Sequence, residues 1–180
     1  ALAEVYPAFA GASDLVFSKH DENALADLDV AFLAVPHTAS LAMTPSLIAA
    51  GTTVIDLSAD YRLKDPATYE KWYKVAHTST DLLAKAAFGL PELTGDELAS
   101  AAARRAAGEA VLVACAGCYP TATSLAAAPL LRSGLIDEQA TVIVDALSGI
   151  TGAGKKATER THFCFANENV EAYGVGTHRH

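Results

Sequence analysis

The chain has 180 residues, of which 51% are hydrophobic and 19% are charged, and this composition predicts a globular protein with a substantial core. A formal net charge of −8 argues against a nucleic-acid surface, because neutralising phosphates requires clustered lysines and arginines. No apolar run approaches the roughly 20 residues that span a bilayer, and no signal peptide opens the sequence. We therefore expect a cytoplasmic protein without nucleic-acid or membrane partners. Three cysteines at unrelated spacings indicate neither a disulfide framework nor a metal site.

The first third of the chain has the pattern of a parallel α/β sheet. Residues 14–17 have the bulk of a strand, and residues 30–35 form an apolar run without alternation, which is typical of a strand covered on both faces. A helix is predicted over 39–50 despite Pro45, and residues 53–57 form the next predicted strand. Strand, helix and strand within about thirty residues predict a βαβ unit with a right-handed crossover.

The sequence that follows is more polar. Residues 64–73 carry aromatic side chains among charged ones, and we interpret them as a surface excursion whose rings cover the sheet edge. A short helix is predicted over 82–87. The alanine-rich residues 97–110 are interpreted as a solvated helix or loop, since the adjacent Arg104 and Arg105 are typical of a wet face.

A single cysteine lies at the junction between the next strand and the next helix. The apolar run 111–114 predicts a buried strand, Ala116 and Gly117 predict a tight turn, and a helix is expected over 120–132. At the start of a helix, backbone N–H groups and the positive end of the helix dipole favour a thiolate, so Cys118 is a candidate nucleophile. The alternative is that Cys118 is a small buried hydrophobe, as free cysteines often are.

A second cysteine raises a redox alternative. Cys115 and Cys118 formally spell a C-x-x-C motif. A dithiol motif requires its first cysteine to be exposed at the helix start, whereas Cys115 ends an apolar strand. We therefore interpret Cys115 as a core residue.

Several polar or turn-forming residues follow the predicted parallel strands. Pro36 and His37 follow the strand at 30–35, and Ser58 and Cys118 follow the next two. In parallel sheets, ligands bind beyond the carboxyl ends of the strands. The sequence therefore predicts that these residues share one cleft.

A glycine-rich loop follows a further predicted strand at 141–147. Residues 149–155 match the G-x-x-x-x-G-K pattern of a phosphate-binding loop, but Lys156 stands where a serine or threonine must reach magnesium. Residues 152–157 also spell G-x-G-x-x-A, although the residues after them lack the apolar face of a packed crossover helix. A nucleotide-binding protein of the P-loop class is therefore the alternative from a different functional class.

Five stretches of the chain carry a family resemblance, and they occur in the family's order. They are Gly-Cys-Tyr-Pro-Thr-Ala at 117–122, Asp-Leu-Ser-Ala-Asp-Tyr-Arg at 56–62, Gly-Leu-Pro-Glu-Leu at 89–93, Ser-Gly-Ile-Thr-Gly-Ala-Gly at 148–154, and Tyr-Gly-Val-Gly-Thr-His-Arg-His at 173–180. The chain thereby resembles the N-acetyl-γ-glutamyl-phosphate reductases of arginine biosynthesis. The family often has Asn-Pro where this chain has Cys115 and Ala116.

The resemblance implies a fold and a domain division. The expected fold is α/β, with a partial Rossmann-like parallel sheet domain over 1–117 followed by the beginning of an α+β catalytic domain of the semialdehyde dehydrogenase type over 118–180. In the family, the glycine-rich turn that grips the cofactor pyrophosphate lies upstream of the segment matching residues 2–7. We therefore expect a fragment that lacks both ends, taken from a protein that is a homo-oligomer at full length.

The resemblance also implies a reaction. The Cys118 thiolate attacks the acyl phosphate of N-acetyl-γ-glutamyl phosphate, phosphate leaves, NADPH delivers a hydride to the resulting thioester, and a thiohemiacetal collapses to the semialdehyde. His178 matches the acid/base position of the family motif, with His180 as a close second, and Arg179 is suited to pair with an anionic substrate group.

The remaining expected site residues lie in the loops. Ser148 and Gly149 are expected to contact substrate, and the residues expected to bind NADP(H) are Pro36, His37, Ser58, Pro120 and Gly152. Aspartate-semialdehyde dehydrogenase and the lysine-pathway reductase that acts on a carrier-bound aminoadipyl phosphate are the alternatives within the same chemistry. A non-catalytic scaffold is the remaining alternative.

Overall fold

Four parallel strands form the sheet around which the chain folds. The computed structural model describes residues 1–19, 21, 25, 27–137 and 139–177. The strands are β1 (Val30–Leu33), β2 (Thr53–Asp56), β3 (Ala87–Gly89) and β4 (Leu112–Cys115), arranged in the order β1-β2-β4-β3 with every neighbouring pair parallel. The α/β fold with a parallel sheet that the sequence predicts is confirmed.

In the described residues, one helix precedes the strands and the others connect or follow them. They are α1 (Leu2–Val5), α2 (Ala39–Ala49), α3 (Pro66–Tyr73), α4 (Thr80–Lys85), α5 (Pro91–Ala106), α6 (Cys118–Arg132) and α7 (Phe163–Ala166), with 3-10 turns at Pro7–Phe9, Ile150–Ala153 and Glu159–Thr161. The predicted helix with an internal proline is α2, in which Pro45 is accommodated. None of the helices in the described ranges combines the length and the apolar character needed to cross a membrane.

The strand register brings the carboxyl ends of all four strands to one edge of the sheet. Leu33 pairs with Asp56, and Asp56 pairs with Ala114. On the far side of β4, Gly89 pairs with Cys115. The loops that follow the four strands therefore begin at the same edge.

The core lies against one face of the sheet. Ala31, Val54 and Leu112 occupy one row of the register and are all buried. The other members come from the strands, from α2 to α4 and from the loops beside them: Leu33, Leu41, Leu47, Tyr61, Tyr69, Leu83, Ala86 and Ala114. On the opposite face of the edge strand β1, Val30 and Phe32 are exposed.

Two predicted strands are wrong in the described part of the chain. Residues 14–17 and 141–147 have no regular secondary structure, and Val16 and Ile143 are 71% and 89% exposed. A β-strand is stable only when a neighbour pairs with its N–H and C=O groups, and the local sequence cannot say whether such a neighbour exists.

The polar segment between β2 and β4 also differs from its prediction. Residues 66–73 form α3, and Tyr69 is fully buried, so this segment is part of the core and not only a surface excursion. The short predicted helix is α4, but it ends at Lys85, and β3 follows it. The predicted solvated segment belongs to the long helix α5, in which Ala101 is buried.

Candidate active site

Cys118 is exposed and is the first residue of α6, three residues beyond the end of β4. Gly117 is the N-cap in an extended conformation, and its carbonyl oxygen accepts the first helical hydrogen bond from the Thr121 N–H at 2.9 Å. The predicted position of Cys118 at a strand-to-helix junction is therefore confirmed. Pro120 lies in the same first turn, where a proline is tolerated because its missing N–H has no partner to lose.

Arg62 links the ends of β2 and β4 directly behind this turn. Its Nε donates to the Cys115 carbonyl oxygen at 2.6 Å, and its Nη2 donates to the Leu57 carbonyl oxygen at 2.7 Å. A Cβ atom on Gly117 would lie 3.0 Å from Arg62 Nη1, so a glycine lets the turn pass close to the guanidinium. Arg62 is the last residue of the motif at 56–62, and the sequence alone predicts no role for it.

Cys115 is half-buried, which is less than the core position expected for it. Burial raises the pKa of its thiol, and the nearby Asp56 carboxylate acts in the same direction. A raised pKa keeps this sulfur protonated at neutral pH, so Cys115 is poorly suited to be a nucleophile.

The loop after β2 is a buried polar turn. The Asp56 carboxylate accepts from both the N–H and the hydroxyl of Ser58, each at 2.9 Å, and burial raises the pKa of Asp56. The Ser58 oxygen in turn accepts from the Asp60 N–H at 3.1 Å. Ser58, which is expected at the cofactor site, is 2% exposed, so its hydroxyl stabilises the turn.

Asp60 joins this loop to the loop after β1. Its two carboxylate oxygens accept from the Thr38 N–H at 2.9 and 2.8 Å, and Oδ1 also accepts from the Tyr69 hydroxyl at 2.8 Å. Thr38 has a φ of 75°, a left-handed conformation that is rare for a β-branched residue. Burial, followed by the hydrogen bond to Asp60, raises the pKa of Tyr69.

His37 provides a second contact between the same two loops. Its Nδ1 accepts from the Ala59 N–H at 3.2 Å, which puts the proton of a neutral ring on Nε2. The ring lies edge-on to Tyr73, with centroids 5.5 Å apart. The structure thus brings the loop containing Pro36 and His37 together with the loop containing Ser58.

His77 has a structural role beneath these loops. Its Nδ1 accepts from the Ser79 N–H at 3.1 Å, so Nε2 carries the proton and donates to the Asp60 carbonyl oxygen at 2.9 Å. Burial lowers the pKa of His77, which keeps the ring neutral at pH 7. Because both ring nitrogens are already used, His77 does not serve as an acid or base for a ligand.

The segment that precedes residue 178 reaches back to the start of α6. The Tyr173 hydroxyl donates to the Tyr119 hydroxyl at 2.8 Å. This hydrogen bond is the largest cause of a raised pKa for Tyr173, and Cys118 is close enough to contribute. Three predicted residues, His178, Arg179 and His180, lie outside the described residues.

The three predicted site residues of the glycine-rich loop, Ser148, Gly149 and Gly152, lie close to one another. The Ser148 hydroxyl donates to the Gly149 carbonyl oxygen at 3.2 Å, and a Cβ on Gly152 would lie 2.7 Å from the Ser148 Oγ. In the described chain the loop leads into an irregular segment and a 3-10 turn at Glu159–Thr161. A P-loop requires a helix at this point, so the geometry does not favour that alternative.

Comparison with known proteins gives consistent matches along the chain. Residues 1–101 match the family model of the semialdehyde dehydrogenase NAD binding domain, and residues 118–180 match the semialdehyde dehydrogenase dimerisation domain. The boundary at 117/118 stays a prediction.

Curated relatives match nearly the whole chain. Proteins from Janthinobacterium sp. (strain Marseille), Symbiobacterium thermophilum and Bordetella avium are 45%, 44% and 46% identical over 179, 180 and 180 residues, which is 99% of this chain in each case. The matched part is 49%, 49% and 48% of these relatives, so the chain spans about half their length. Each of them is named N-acetyl-gamma-glutamyl-phosphate reductase.

Proposed function

The chain belongs to the semialdehyde dehydrogenase family, and from that premise we propose that its full-length protein is an NADP(H)-dependent N-acetyl-γ-glutamyl-phosphate reductase. The observation that carries the proposal is the position of Cys118, an exposed sulfur at the start of α6 and at the carboxyl edge of a parallel sheet. Relatives that align with 99% of this chain at 44% and 45% identity carry that name.

Cys118 is the proposed nucleophile. Its sulfur forms a bond to the acyl carbon of N-acetyl-γ-glutamyl phosphate, and the bond from that carbon to the phosphate oxygen breaks, which releases inorganic phosphate and leaves a thioester. A thioester accepts a hydride far more readily than a carboxylate does. The sulfur lies at the start of α6, where the helix dipole is positive.

The start of α6 also offers a donor for the oxyanion that forms on the acyl oxygen. The helical ladder begins with the Thr121 N–H, and Pro120 has no N–H. The backbone N–H groups at the start of α6, beginning with that of Cys118, therefore precede the ladder and are the proposed oxyanion donors. The proposed acid/base is His178, with Arg179 and His180 beside it for the substrate's charged groups, and Ser148 and Gly149 complete the proposed substrate contacts.

The carboxyl edge of the sheet is the proposed place for the nicotinamide end of the cofactor. The loops after β1 and β2 are joined by the contacts of His37 with Ala59 and of Thr38 with Asp60, and Arg62 joins the second loop to the end of β4. Ligands of parallel sheets bind beyond this edge. When bound there, the nicotinamide supplies the hydride. The residues that would hold it are Pro36, His37, the backbone at Ser58, Pro120 and Gly152.

The proposal has two further parts. The match of residues 118–180 to a dimerisation domain supports a homo-oligomer, and a biosynthetic reductase of this kind is expected in the cytoplasm. The substrate is a small acyl phosphate.

The test of the proposed function is the reverse reaction of the full-length protein: phosphate-dependent, NADP-linked oxidation of N-acetylglutamate semialdehyde. We expect Cys118→Ser to lower kcat by at least about 1000-fold, because the covalent route is lost. Cys164→Ser is the matched control, since Cys164 is also exposed but lies on α7. Undiminished turnover by Cys118→Ser would refute the mechanism.

A further inference from the structure

One hydrogen bond joins the exposed carboxyl-terminal part of the described chain, residues 139–177, to the helix that begins with the candidate nucleophile. Residues 139–177 are exposed at almost every position. Within them, the Tyr173 hydroxyl donates to the hydroxyl of Tyr119, which precedes it by 54 residues in sequence. Tyr119 directly follows Cys118 in the first turn of α6.

The ring of Tyr173 makes a second contact, with Arg160. The Arg160 guanidinium carbon lies 5.5 Å from the centroid of the Tyr173 ring, which is the geometry of a cation–π contact. Arg160 Nε also donates to the Glu171 carboxylate at 3.1 Å, so the guanidinium is fixed between the ring and the carboxylate. Two contacts therefore hold Tyr173, one at its hydroxyl and one at its ring, and Glu171 holds the arginine that makes the second.

The Tyr119–Tyr173 hydrogen bond limits how far residues 174–177 can extend from the start of α6. A chain of four residues spans at most about 14 Å, so the described residues 174–177 stay within that distance of the Tyr173 backbone. The Thr177 N–H donates to the Gly174 carbonyl oxygen at 2.9 Å, which folds the segment into a turn and shortens this reach. Holding a segment beside a reacting group raises its effective concentration there.

We propose that Tyr119 and Tyr173 form a positioning pair, whose hydrogen bond holds the segment 171–177 against the start of α6 beside Cys118. The pair rests on the proposed function in one respect, namely that the chemistry occurs at Cys118. Neither tyrosine is required to touch substrate. The pair acts by fixing the segment that leads to residues 178–180.

The contact itself is testable without any activity. Photo-oxidation with a ruthenium complex and persulfate joins neighbouring tyrosines as dityrosine, and peptide mass spectrometry identifies the two partners. We expect a Tyr119–Tyr173 product within one chain, and none that joins Tyr173 to Tyr6, an exposed tyrosine near the amino terminus. Absence of the Tyr119–Tyr173 product would overturn the proposal.

The positioning role is testable by a double-mutant cycle in the full-length protein. Tyr119→Phe and Tyr173→Phe each remove one hydroxyl and keep the ring, so the Arg160 contact is preserved. We expect each to lower kcat about tenfold to hundredfold with KM little changed. The double variant should be no slower than the single variants, because both remove the same bond. Tyr6→Phe is the control and should retain full turnover.

The outcomes separate this proposal from the proposed function. If wild-type protein reduces the acyl phosphate and both phenylalanine variants keep the wild-type kcat, or if their effects multiply, the positioning pair is refuted and the reductase stands. If wild-type protein has no reductase activity, the proposed function fails, and the positioning role of the pair in that reaction fails with it, while the dityrosine product still reports the contact. If the thermal unfolding midpoints of the variants are close to that of the wild type, a lower kcat does not arise from misfolding.

Discussion

Arg62 shows how one side chain supports the turn that presents Cys118. Its guanidinium donates to two carbonyl oxygens, those of Leu57 and Cys115, which belong to two different strand ends. A planar guanidinium reaches two acceptors in a fixed geometry, whereas an ammonium on a flexible stem is a single point donor. Arginine is therefore the residue type that this position requires.

We expect Arg62→Lys to lower the free energy of unfolding by about 1 kcal/mol, because one of the two carbonyl bonds is lost. It should also lower kcat/KM about tenfold, since the Gly117–Cys118 turn loses its support. Urea unfolding and the reductase assay measure the two effects. Arg132→Lys is the control: Arg132 is exposed and makes one long bond of 3.4 Å to the Glu92 carbonyl oxygen. Equal behaviour of the two variants would contradict this interpretation.

Protonation of His77 makes the free energy of unfolding depend on pH. Burial lowers the pKa of His77 below 6.5, so the unfolded chain binds a proton more readily than the folded chain. The stability contributed by the neutral ring is fully present above pH 6.5 and is lost as the pH falls through the lower folded pKa. The free energy of unfolding should fall by at most about 1.4 kcal/mol per pH unit from this group.

His77→Gln should flatten this pH dependence, because glutamine can donate to the Asp60 carbonyl oxygen without titrating. Urea unfolding at pH 7, 6 and 5 measures the slope. His162→Gln serves as the comparison, since His162 is only an N-cap on α7 and lies at an exposed part of the surface. A slope that is the same in wild type and His77→Gln would show that His77 is not the responsible group.

The loops after β1 and β2 depend on buried polar contacts between them. Asp60 is fully buried and accepts from Thr38 and Tyr69, and Thr38 is held in a left-handed conformation. Strain of this kind persists only where the surroundings enforce it. The two loops are therefore best regarded as one preformed unit at the carboxyl edge of the sheet.

Replacing Asp60 by asparagine should disrupt this unit. The amide has one acceptor oxygen, and its NH₂ group would face the Thr38 N–H or the Tyr69 hydroxyl, so a buried donor is left without an acceptor. We expect a loss of about 2 kcal/mol or more in the free energy of unfolding, measured by urea titration. Asp29→Asn, at a carboxylate that is 97% exposed, should change it by less than about 0.5 kcal/mol. Similar values for both variants would argue against the role of Asp60.

The sequence predicts those elements whose signals are local. The apolar runs at 30–35, 53–57 and 111–114 and the Gly-Cys-Tyr-Pro turn predict β1, β2, β4 and the start of α6 without knowledge of any distant residue. β3 was missed because it is only three residues long and exists through its pairing with β4. Residues 141–147 have a strand's composition but, in the described chain, no neighbouring strand.

The contacts of the site were harder to predict than its nucleophile. Cys118 was found because the residues around it indicate a strand, a turn and a helix. Arg62 and its acceptor Cys115 are 53 residues apart in sequence, and the two tyrosines of the positioning pair are 54 apart. No local pattern encodes such a pairing, since it depends on how distant segments of the chain fold together.

In the described chain, side-chain contacts join the loops at the carboxyl edge of the sheet to the start of α6 and to the segment that contains Tyr173. The loops after β1 and β2 are joined by Asp60 and His37, Arg62 connects them to β4, and the pair of Tyr119 and Tyr173 connects α6 to the segment before residue 178. These contacts surround the Gly117–Cys118 turn, which presents the Cys118 sulfur. The proposed reaction therefore requires that this sulfur becomes acylated.

A single-turnover experiment tests this most directly. Full-length protein is mixed with N-acetyl-γ-glutamyl phosphate in the absence of NADPH, inorganic phosphate release is followed in time, and the quenched protein is digested for mass spectrometry. We predict a burst of about one phosphate per chain, as expected of covalent catalysis, and an N-acetylglutamyl adduct on the peptide that contains Cys118. A protein that turns over with NADPH yet shows neither the burst nor the adduct would contradict the account.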